Sequence, residues 1–524
     1  DLPRITGDSP YLATARKYAD DALPRYRLNG LFVRQPGDPY YEAKVGPGEL
    51  MSALVRLHIR LNPKDAGRLN TVKMLLLTNC TFDGIVYNVQ KVMHEILAIK
   101  PDMIFLWDEA WFAFAGFTPI YKQRTAMYSA RILQQKYKSA EYRQEYEANR
   151  KSDDPKRMPD PDLVKIRVYA TQSTHKTLSS LRQGSMIHIY DELFKRKVED
   201  SFHEAYKTHT STSPSYQILA SLDVGRRQVM FEGYEMVERS IEMAMVLRSK
   251  IATHPRLKKY FDVLTVENNI PEDYRKSGII QYFDPVDGWT RMEEAWTNDE
   301  FVLDPTKINL YIGRTGVDGD TFKNKFLMDQ FGIQINKTSR NSVLFMTNIG
   351  TTRSSVAYLI SVLLKITDQL DEQRKAMSEV ELKIVDKNIK SLTEDLPPLP
   401  DFSHFHSSFQ AVPGVPGGNI REAYFLSYDE TKCEFIRRED CKKALESGRE
   451  IVSASFVIPY PPGFPILVPG QVLSSEILEF FINLDVKEIH GYRDDLGLRI
   501  FTKSALNRKK TATAMMGASS MVGL

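Results

Sequence analysis

Short apolar segments separated by helix-like stretches constrain the fold of this chain more than any other feature. The segments at residues 74–78, 103–107 and 164–170 each have the length of a single strand, and a helical pattern at residues 86–99 separates the first two. Strands that are apolar on both faces are typical of a parallel sheet covered by helices on both sides. The sequence therefore predicts an α/β fold with a mainly parallel sheet.

The length of the chain allows several domains. Its 524 residues correspond to about two to four domains of ordinary size. From changes in pattern and composition we expect an N-terminal segment (1–60), a large domain (61–290) with a charged surface insertion (121–160), a small α+β domain (291–400), a C-terminal α+β domain (401–507) and a tail (508–524).

Charge and cysteine content exclude several classes of protein. The chain has 70 Lys and Arg against 67 Asp and Glu, and this net charge of +3 argues against nucleic acid as a partner. Its three cysteines form neither a disulfide pattern nor a metal-binding pattern, so we expect a reduced, cytoplasmic protein without a metal site. No apolar stretch approaches the roughly 18 residues that span a bilayer, so no membrane partner is expected.

Two strand ends carry residues suited to cofactor chemistry. The sequence Ser-Thr-His-Lys at residues 173–176 closes the third strand. A lysine in such a setting can form a Schiff base with pyridoxal phosphate (PLP), and neighbouring donors can anchor the phosphate. Asp108 ends the second strand, and ligands of parallel sheets bind beyond the carboxyl ends of strands. We therefore expect Asp108 to contact the pyridine nitrogen of a ligand held by Lys176, with Trp111 as an apolar wall.

Four residues such as Ser-Thr-His-Lys recur by chance, but five motifs occur here in a fixed order. They are Thr-Asn-Cys-Thr-Phe-Asp-Gly at 78–84 with Tyr-Asn at 87–88, Asp-Glu-Ala-Trp at 108–111, Thr-Gln-Ser-Thr-His-Lys at 171–176, a Ser/Thr-rich loop at 209–214, and a proline-rich segment at 459–465 followed by Pro-Gly. Together they resemble the bacterial ornithine/lysine/arginine decarboxylases of PLP fold type I. The resemblance extends from about residue 60 to residue 500.

The resemblance implies a cofactor, a fold and a set of site residues. It implies the PLP-dependent transferase-like large domain, a homodimer or higher oligomer with a shared active site, and PLP contacts from Lys176, Asp108, Trp111, Ser173, His175 and, from a second subunit, Ser211 and Ser213. Lys176, Asp108 and His175 are the predicted catalytic residues. For His175, a phosphate contact, a proton relay and an ordinary hydrogen bond at a strand end stay open. For the two loop serines, ordinary turn chemistry stays open.

Two departures from the family pattern affect these expectations. Residues 1–77 contain neither the Ser-rich phosphate turn nor the ring-stacking histidine of the family, and His58 lies in an apolar helical context. We therefore expect that a longer polypeptide, a segment left out of the sequence, or a partner chain supplies that part of the site. The family's Gly-Ile-x-x-Glu-Lys reads Gly-Ile-Gln-Ile-Asn-Lys at 332–337, so Asn336 replaces the carboxylate that pairs with the substrate's distal ammonium. Because a buried ammonium needs a paired charge, the choice among arginine, lysine and ornithine stays open.

The expected reaction is decarboxylation of a basic amino acid to the corresponding amine and CO2. Another fold type I reaction, such as amino transfer, is the first alternative, although the proline-rich motif argues against it. The second alternative is a non-catalytic subunit of a decarboxylase-like assembly. A subunit without catalysis would need neither Lys176 nor Asp108, and both residues are present.

Overall fold

The chain is described in two compact units. The computed structural model describes residues 27–28, 31–32, 73–152, 156–282, 291–335, 337–395, 400–410, 418–460, 465–483 and 488–507. Unit 1 comprises Asp1–Pro24, Glu42–Tyr311 and Leu344–Met377, and unit 2 comprises Arg25–Tyr41, Ile312–Val343 and Ser378–Leu524. The domain limits expected from the sequence stay predictions. The predicted tail at 508–524 and most of the segment at 1–60 lie outside the described residues.

The described strands are short, and most coincide with apolar segments. They are β1 (Arg27–Leu28), β2 (Leu31–Phe32), β3 (Met74–Thr78), β4 (Ile85–Tyr87), β5 (Ile104–Asp108), β6 (Arg167–Gln172), β7 (Met186–Asp191), β8 (Asp262–Val263), β9 (Phe301–Leu303), β10 (Lys307–Tyr311), β11 (Lys337–Thr338), β12 (Ser342–Met346), β13 (Cys433–Ile436), β14 (Ile458–Tyr460), β15 (Glu488–His490), β16 (Tyr492–Arg493) and β17 (Gly497–Phe501).

The helices begin mostly at side-chain caps. They are α1 (Val89–Leu97), α2 (Pro119–Lys122), α3 (Ala126–Lys138), α4 (Ala140–Arg150), α5 (Thr174–Thr177), α6 (Glu199–His209), α7 (Tyr216–Thr253), α8 (Pro255–Lys258), α9 (Val266–Asn269), α10 (Met292–Asn298), α11 (Gly319–Thr321), α12 (Asp329–Phe331), α13 (Arg353–Ala376), α14 (Glu379–Thr393), α15 (Ile420–Leu426), α16 (Arg438–Glu446), α17 (Ser475–Ile482) and α18 (Lys503–Leu506). Asn88, for example, caps α1 by accepting a hydrogen bond from Lys91 N.

A four-stranded sheet with the order β3-β5-β6-β7 organises unit 1. β3, β5 and β6 run parallel, and β7 joins the edge of β6 antiparallel. The register places Thr78 beside Asp108, and Asp108 beside Thr171, so three carboxyl ends meet at one edge. The predicted α/β fold with a mainly parallel sheet is confirmed.

One face of this sheet forms the centre of the unit 1 core. Phe105 and Trp107 of β5 and Ala170 of β6 are fully or almost fully buried. On the opposite face, Tyr169 of β6 is buried, whereas Met74 and Leu76 of the edge strand β3 are exposed. An apolar pattern predicts that a strand needs cover but does not identify the segment that provides it.

The segment expected as a solvated insertion contributes to the core. Leu133 and Tyr137 of α3 and Tyr142 of α4 are buried in the cluster that contains the sheet. Tyr142 also donates a hydrogen bond to Pro159 O at 2.8 Å. The sequence suggested a solvated surface because charged residues dominate here, but Leu133 and Tyr137, four positions apart, share one face of α3.

The two helices after β12 are separated by a short break. α13 continues to Ala376, and α14 begins three residues later. Ser378 and Glu381 form a capping box, in which each side chain bonds to the backbone of the other residue. Such reciprocal bonds satisfy amide groups at a helix start and therefore set the boundary.

Unit 2 contains small antiparallel sheets with helices beside them, which agrees with the α+β character expected for the C-terminal part. β17 pairs with β13 and with β16, and β14 pairs with β15. Ile451, Leu473 and Ile500 are buried in one cluster of this unit. Among the described residues of the whole chain, no helix is both long enough and apolar enough to cross a bilayer.

Candidate active site at the carboxyl edge of the sheet

The ends of β5 and β6 hold the predicted site residues in register. Glu109 N donates to Thr171 O at 2.8 Å, which extends the pairing of the two strands beyond Asp108. Asp108 Oδ1 accepts a hydrogen bond from Ala110 N at 2.9 Å, so its side chain is fixed at the strand end. Asp108 is half-buried, and this hydrogen bond involves one of its two carboxylate oxygens.

Lys176 lies on α5, the single helical turn that follows β6. Its Nζ is 4.6 Å from the centroid of the Trp111 ring, a distance that suits attraction between an ammonium group and an aromatic face. Trp111 in turn packs edge-to-face against Phe82, with ring centroids 4.9 Å apart. The structure therefore places Lys176 and Trp111 together, as the sequence predicts.

The protonation of Lys176 depends on two opposing effects. Burial lowers the pKa of the Lys176 ammonium below its ordinary value, and the charge of the Asp108 carboxylate partly counteracts this. The two charged groups therefore lie close enough to interact electrostatically. Because only a neutral amine is nucleophilic, a lowered pKa favours covalent chemistry at Lys176.

His175 and Ser173 occupy the same turn as Lys176. His175 Nδ1 lies 3.0 Å from Gly184 O, and since a carbonyl oxygen only accepts, Nδ1 is the donor. This bond fixes the imidazole and leaves Nε2 for another partner. Ser173 precedes α5, and its hydroxyl makes no capping hydrogen bond to that helix.

Two hydroxyl groups beside Lys176 are buried without a hydrogen-bond partner among the described residues. They belong to Thr174 and Thr177, which are 4% and 3% exposed. A buried hydroxyl without a partner is unfavourable, so these groups are suited to bind a polar ligand atom or a water molecule.

The remaining predicted residues are not placed at this edge. Ser211 and Ser213 are exposed on the loop after α6, and Ser213 N donates to Ser211 Oγ at 3.1 Å. This bond is an example of the ordinary turn chemistry that is the alternative for these two serines. Their contact with a phosphate in a second subunit stays a prediction. Asn336, the predicted substrate-binding residue, lies outside the described residues.

Sequence reasoning did not identify Glu109 as a site residue. Glu109 is completely buried and accepts hydrogen bonds from Asn79 Nδ2 and Gln172 Nε2 at 2.9 and 2.8 Å. Burial raises the pKa of this carboxyl group, and its hydrogen bonds act in the opposite direction. One feature of the sequence could have indicated Glu109: it is a second acidic residue, directly after the strand end at Asp108.

The residues at this edge fit a pyridine aldehyde cofactor such as PLP. Lys176 offers an amine of lowered pKa, Asp108 offers a carboxylate, and Trp111 offers an aromatic face. The unpartnered hydroxyls of Thr174 and Thr177 lie on the same turn as Lys176. The amine suits a Schiff base with the aldehyde, the carboxylate suits a protonated ring nitrogen, and the hydroxyls suit polar ligand atoms.

Comparison with known families agrees with this geometry. Residues 44–136 and 154–355, more than half of the chain, match the family described as Orn/Lys/Arg decarboxylase, major domain. The match contains Asp108 and the turn that carries Lys176.

Individual relatives are similar over a large part of this chain. A lysine decarboxylase from Hafnia alvei is 26% identical over 434 residues, which are 76% of this chain and 50% of that protein. The constitutive lysine decarboxylase of Escherichia coli (strain K12) is also 26% identical, over 80% of this chain and 56% of that protein. The chain thus spans about half the length of these curated relatives.

Among solved structures, the fold is similar to that of a lysine decarboxylase from Francisella novicida. The TM-score is 0.53 at 22% sequence identity, over 84% of this chain and 59% of that one. This likeness supports the fold of the chain.

Proposed function

We propose that this chain, which belongs to the Orn/Lys/Arg decarboxylase family, removes the carboxylate of a basic amino acid as CO2 and yields the amine, with PLP held at Lys176. One observation carries the proposal: the Lys176 amine lies over Trp111 and within the electrostatic influence of Asp108, at the carboxyl edge of the sheet. Ligands of parallel sheets bind at this edge.

Each side chain at the edge has a proposed task. When bound, PLP supplies an electron sink for the electron pair that remains when CO2 leaves. Lys176, with its lowered pKa, would hold the cofactor through its neutral amine and would accept or return a proton at Nζ. Asp108 would keep the ring nitrogen of the cofactor protonated, and Trp111 would exclude water from the face of the amine.

His175 and Ser173 are proposed to bind the phosphate or to move a proton. The bond from His175 Nδ1 to Gly184 O orients the imidazole, so Nε2 is the atom available for either role. The Ser173 hydroxyl is not used to cap α5 and can donate to an anion.

We also infer that the assembled enzyme is a homodimer or a higher oligomer. α7 presents exposed apolar side chains on its N-terminal half, including Tyr216 and Phe231, which are 77% and 80% exposed. Apolar patches of this kind mark protein contacts. Ser211 and Ser213 lie directly before this helix, so a second copy bound there could use them.

From the sequence we propose that residue 336 determines the choice of substrate. Asn336 stands where family members that act on lysine or ornithine carry Glu. Asn336→Glu should raise kcat/KM for lysine or ornithine relative to arginine, because a carboxylate pairs with a distal ammonium. Competition assays with the three amino acids measure this ratio, and an unchanged ratio would refute the role of Asn336.

The proposed function is tested by measuring product release from carboxyl-labelled lysine, ornithine and arginine with excess PLP. The wild-type chain should release CO2 and amine in equal amounts from at least one of them, and Lys176→Ala should release neither. Lys165→Ala, which alters a lysine before the opposite end of β6, is the matched control and should retain activity. Amino transfer to an oxo acid without CO2 release, or full activity in Lys176→Ala, would contradict the proposal.

A further inference from the structure

Glu109 is a buried acceptor for hydrogen bonds from three different elements. Its Oε1 accepts from Asn79 Nδ2 at 2.9 Å and from Ala126 N, at the start of α3, at 2.7 Å. Its Oε2 accepts from Gln172 Nε2 at 2.8 Å. The side chain is completely shielded from solvent, so these donors replace the water that a carboxylate otherwise needs.

The hydrogen bonds continue on both sides of Glu109. Gln172 Oε1 is paired with His188 Nε2 at 3.0 Å, and Asn79 Nδ2 also donates to Arg124 O at 2.9 Å. The side chains Asn79, Glu109, Gln172 and His188 therefore form one chain that follows the strand order β3-β5-β6-β7. Each strand of the sheet contributes one side chain to this hydrogen-bonded chain. The side chain belongs either to the strand itself or to the residue directly after its end.

The two central members of this chain are neighbours of the proposed site residues. Glu109 directly follows Asp108, and Gln172 lies four positions before Lys176. The Glu109–Gln172 bond therefore joins the two strand ends that carry the carboxylate and the amine of the site. Removing an acceptor from this buried chain leaves donors unsatisfied, and the strand ends must then shift to find partners.

We propose that Glu109 is a positioning residue whose carboxylate fixes the ends of β5 and β6, so that Asp108 and Lys176 face one ligand. The inference deepens the function proposed above and rests on it, because it concerns the same site. Glu109 touches no reacting atom in this role and acts through Asp108 and the turn that carries Lys176.

Two single variants separate positioning from charge. Glu109→Gln removes one buried negative charge, and Gln172→Glu adds one. In both variants a hydrogen bond of the chain loses its donor–acceptor match. While the carbonyl oxygens of residues 109 and 172 keep their present partners, two amide NH2 groups face each other in the first variant. Two carboxylates face each other in the second. If only charge mattered, the pKa of Lys176 would shift in opposite directions. A positioning role predicts the same direction for both, because both displace Asp108.

The double variant Glu109→Gln/Gln172→Glu restores the match. Residue 172 then accepts from residue 109 and from His188, and residue 109 still accepts from Asn79 and Ala126. The matched control is Asp191→Asn at the opposite end of β6. Asp191 is also a buried carboxylate that joins β6 to β7, and it accepts hydrogen bonds from Arg167 and Tyr169.

The decisive measurement is the pH profile of Lys176 acetylation by acetic anhydride in the cofactor-free chain, followed by mass spectrometry. Both single variants should move the midpoint downward, toward that of Asp108→Asn, and the double variant should return it to the wild-type value. Asp191→Asn should keep the wild-type midpoint. In parallel, PLP affinity should fall about tenfold in each single variant, as expected when one buried hydrogen bond is lost.

Opposite shifts in the two single variants, no shift in either, or an equal shift in Asp191→Asn would overturn the positioning role. If a single variant does not fold, the double variant decides: a wild-type midpoint supports the role, and a midpoint at the Asp108→Asn value overturns it. The acetylation profile needs no cofactor. A wild-type chain that never binds PLP therefore contradicts the proposed function while this readout still reports on Glu109.

Discussion

At the scale of single residues, the chemistry of the site depends on how Lys176 is protonated. Burial lowers the pKa of its ammonium, and the Asp108 carboxylate opposes this shift. Trp111 stabilises the charged form through its ring face at 4.6 Å. Asp108 therefore has two tasks: it moderates the pKa of the free amine, and it is proposed to hold the proton of the cofactor ring.

Asp108→Asn is expected to lower the pKa of Lys176 further. A negative charge nearby favours the ammonium, so removing it leaves desolvation with less opposition. The pH at which Lys176 is half-reactive toward acetic anhydride should lie below 10.5 in the wild type and lower still in Asp108→Asn. A midpoint that rises or stays constant in the variant would show that the two side chains do not interact.

The sequence predicted that some candidate residues lie close together and missed others, for physical reasons. Lys176, Asp108 and Trp111 lie at or just after strand ends, and the carboxyl ends of neighbouring parallel strands necessarily meet. Glu109 was missed because its proposed role depends on donors from Asn79 and Gln172, which are distant in sequence. Strand order and register bring such partners together, and a single sequence does not display either.

At the scale of secondary-structure elements, helix α7 packs closely against the segment that follows the turn carrying Lys176. The Cα of Gly225 approaches this segment so closely that a Cβ atom built there would lie 1.9 Å from Ser179 O. Ser179 is three residues beyond Lys176, so the contact fixes the segment that follows the proposed site. Glycine at this position permits the close approach of a helix to another backbone segment.

Gly225→Ala is therefore expected to destabilise unit 1 and to disturb the site. Relative to glycine, alanine stabilises a helix by about 1 kcal/mol. The clash with the Ser179 backbone is expected to destabilise the fold by about 1–3 kcal/mol through overpacking. Urea unfolding should show a net loss of stability, together with weaker PLP binding. Gly116→Ala is the control, because a Cβ there meets nothing within 4 Å. A Gly225→Ala chain as stable as the wild type would contradict the predicted contact.

Most elements could be located from the sequence, whereas most of their limits and their packing could not. β3 was predicted at its observed limits, since an apolar strand between polar neighbours has a clear pattern. The antiparallel direction of β7 depends on how the strand pairs with β6, and the residues of β7 alone do not indicate it. The buried face of α3 and α4 was overlooked because charged residues outnumber the few tyrosines and leucines that pack inward.

At the scale of the whole molecule, exposed apolar surface is the feature that points to assembly. Val224, Phe231 and Tyr234 of α7 are 66%, 80% and 57% exposed, and their spacing places them on one face of the helix. Met74 and Leu76 of β3 form a second exposed apolar group. Such surface is unusual on a protein that acts as a monomer.

We expect the wild-type chain to sediment as a dimer or larger species and Phe231→Asp to shift the equilibrium toward monomer. A charge at this position opposes burial of the apolar face in an interface. Analytical ultracentrifugation at several concentrations measures the shift. Lys250→Asp, on the same helix but distant from the apolar face, is the control. A monomeric wild type would show that the apolar face of α7 does not mediate self-association.

The central claim, that Lys176 holds PLP, is tested most directly by reduction with borohydride. The chain is incubated with PLP, its visible absorbance is recorded, and the bound cofactor is fixed by borohydride before digestion and mass spectrometry. We predict a visible band that borohydride abolishes, with the mass of the reduced cofactor on Lys176 and with both signals absent in Lys176→Ala. A colourless wild type at saturating PLP, or label spread over other lysines, would contradict the claim.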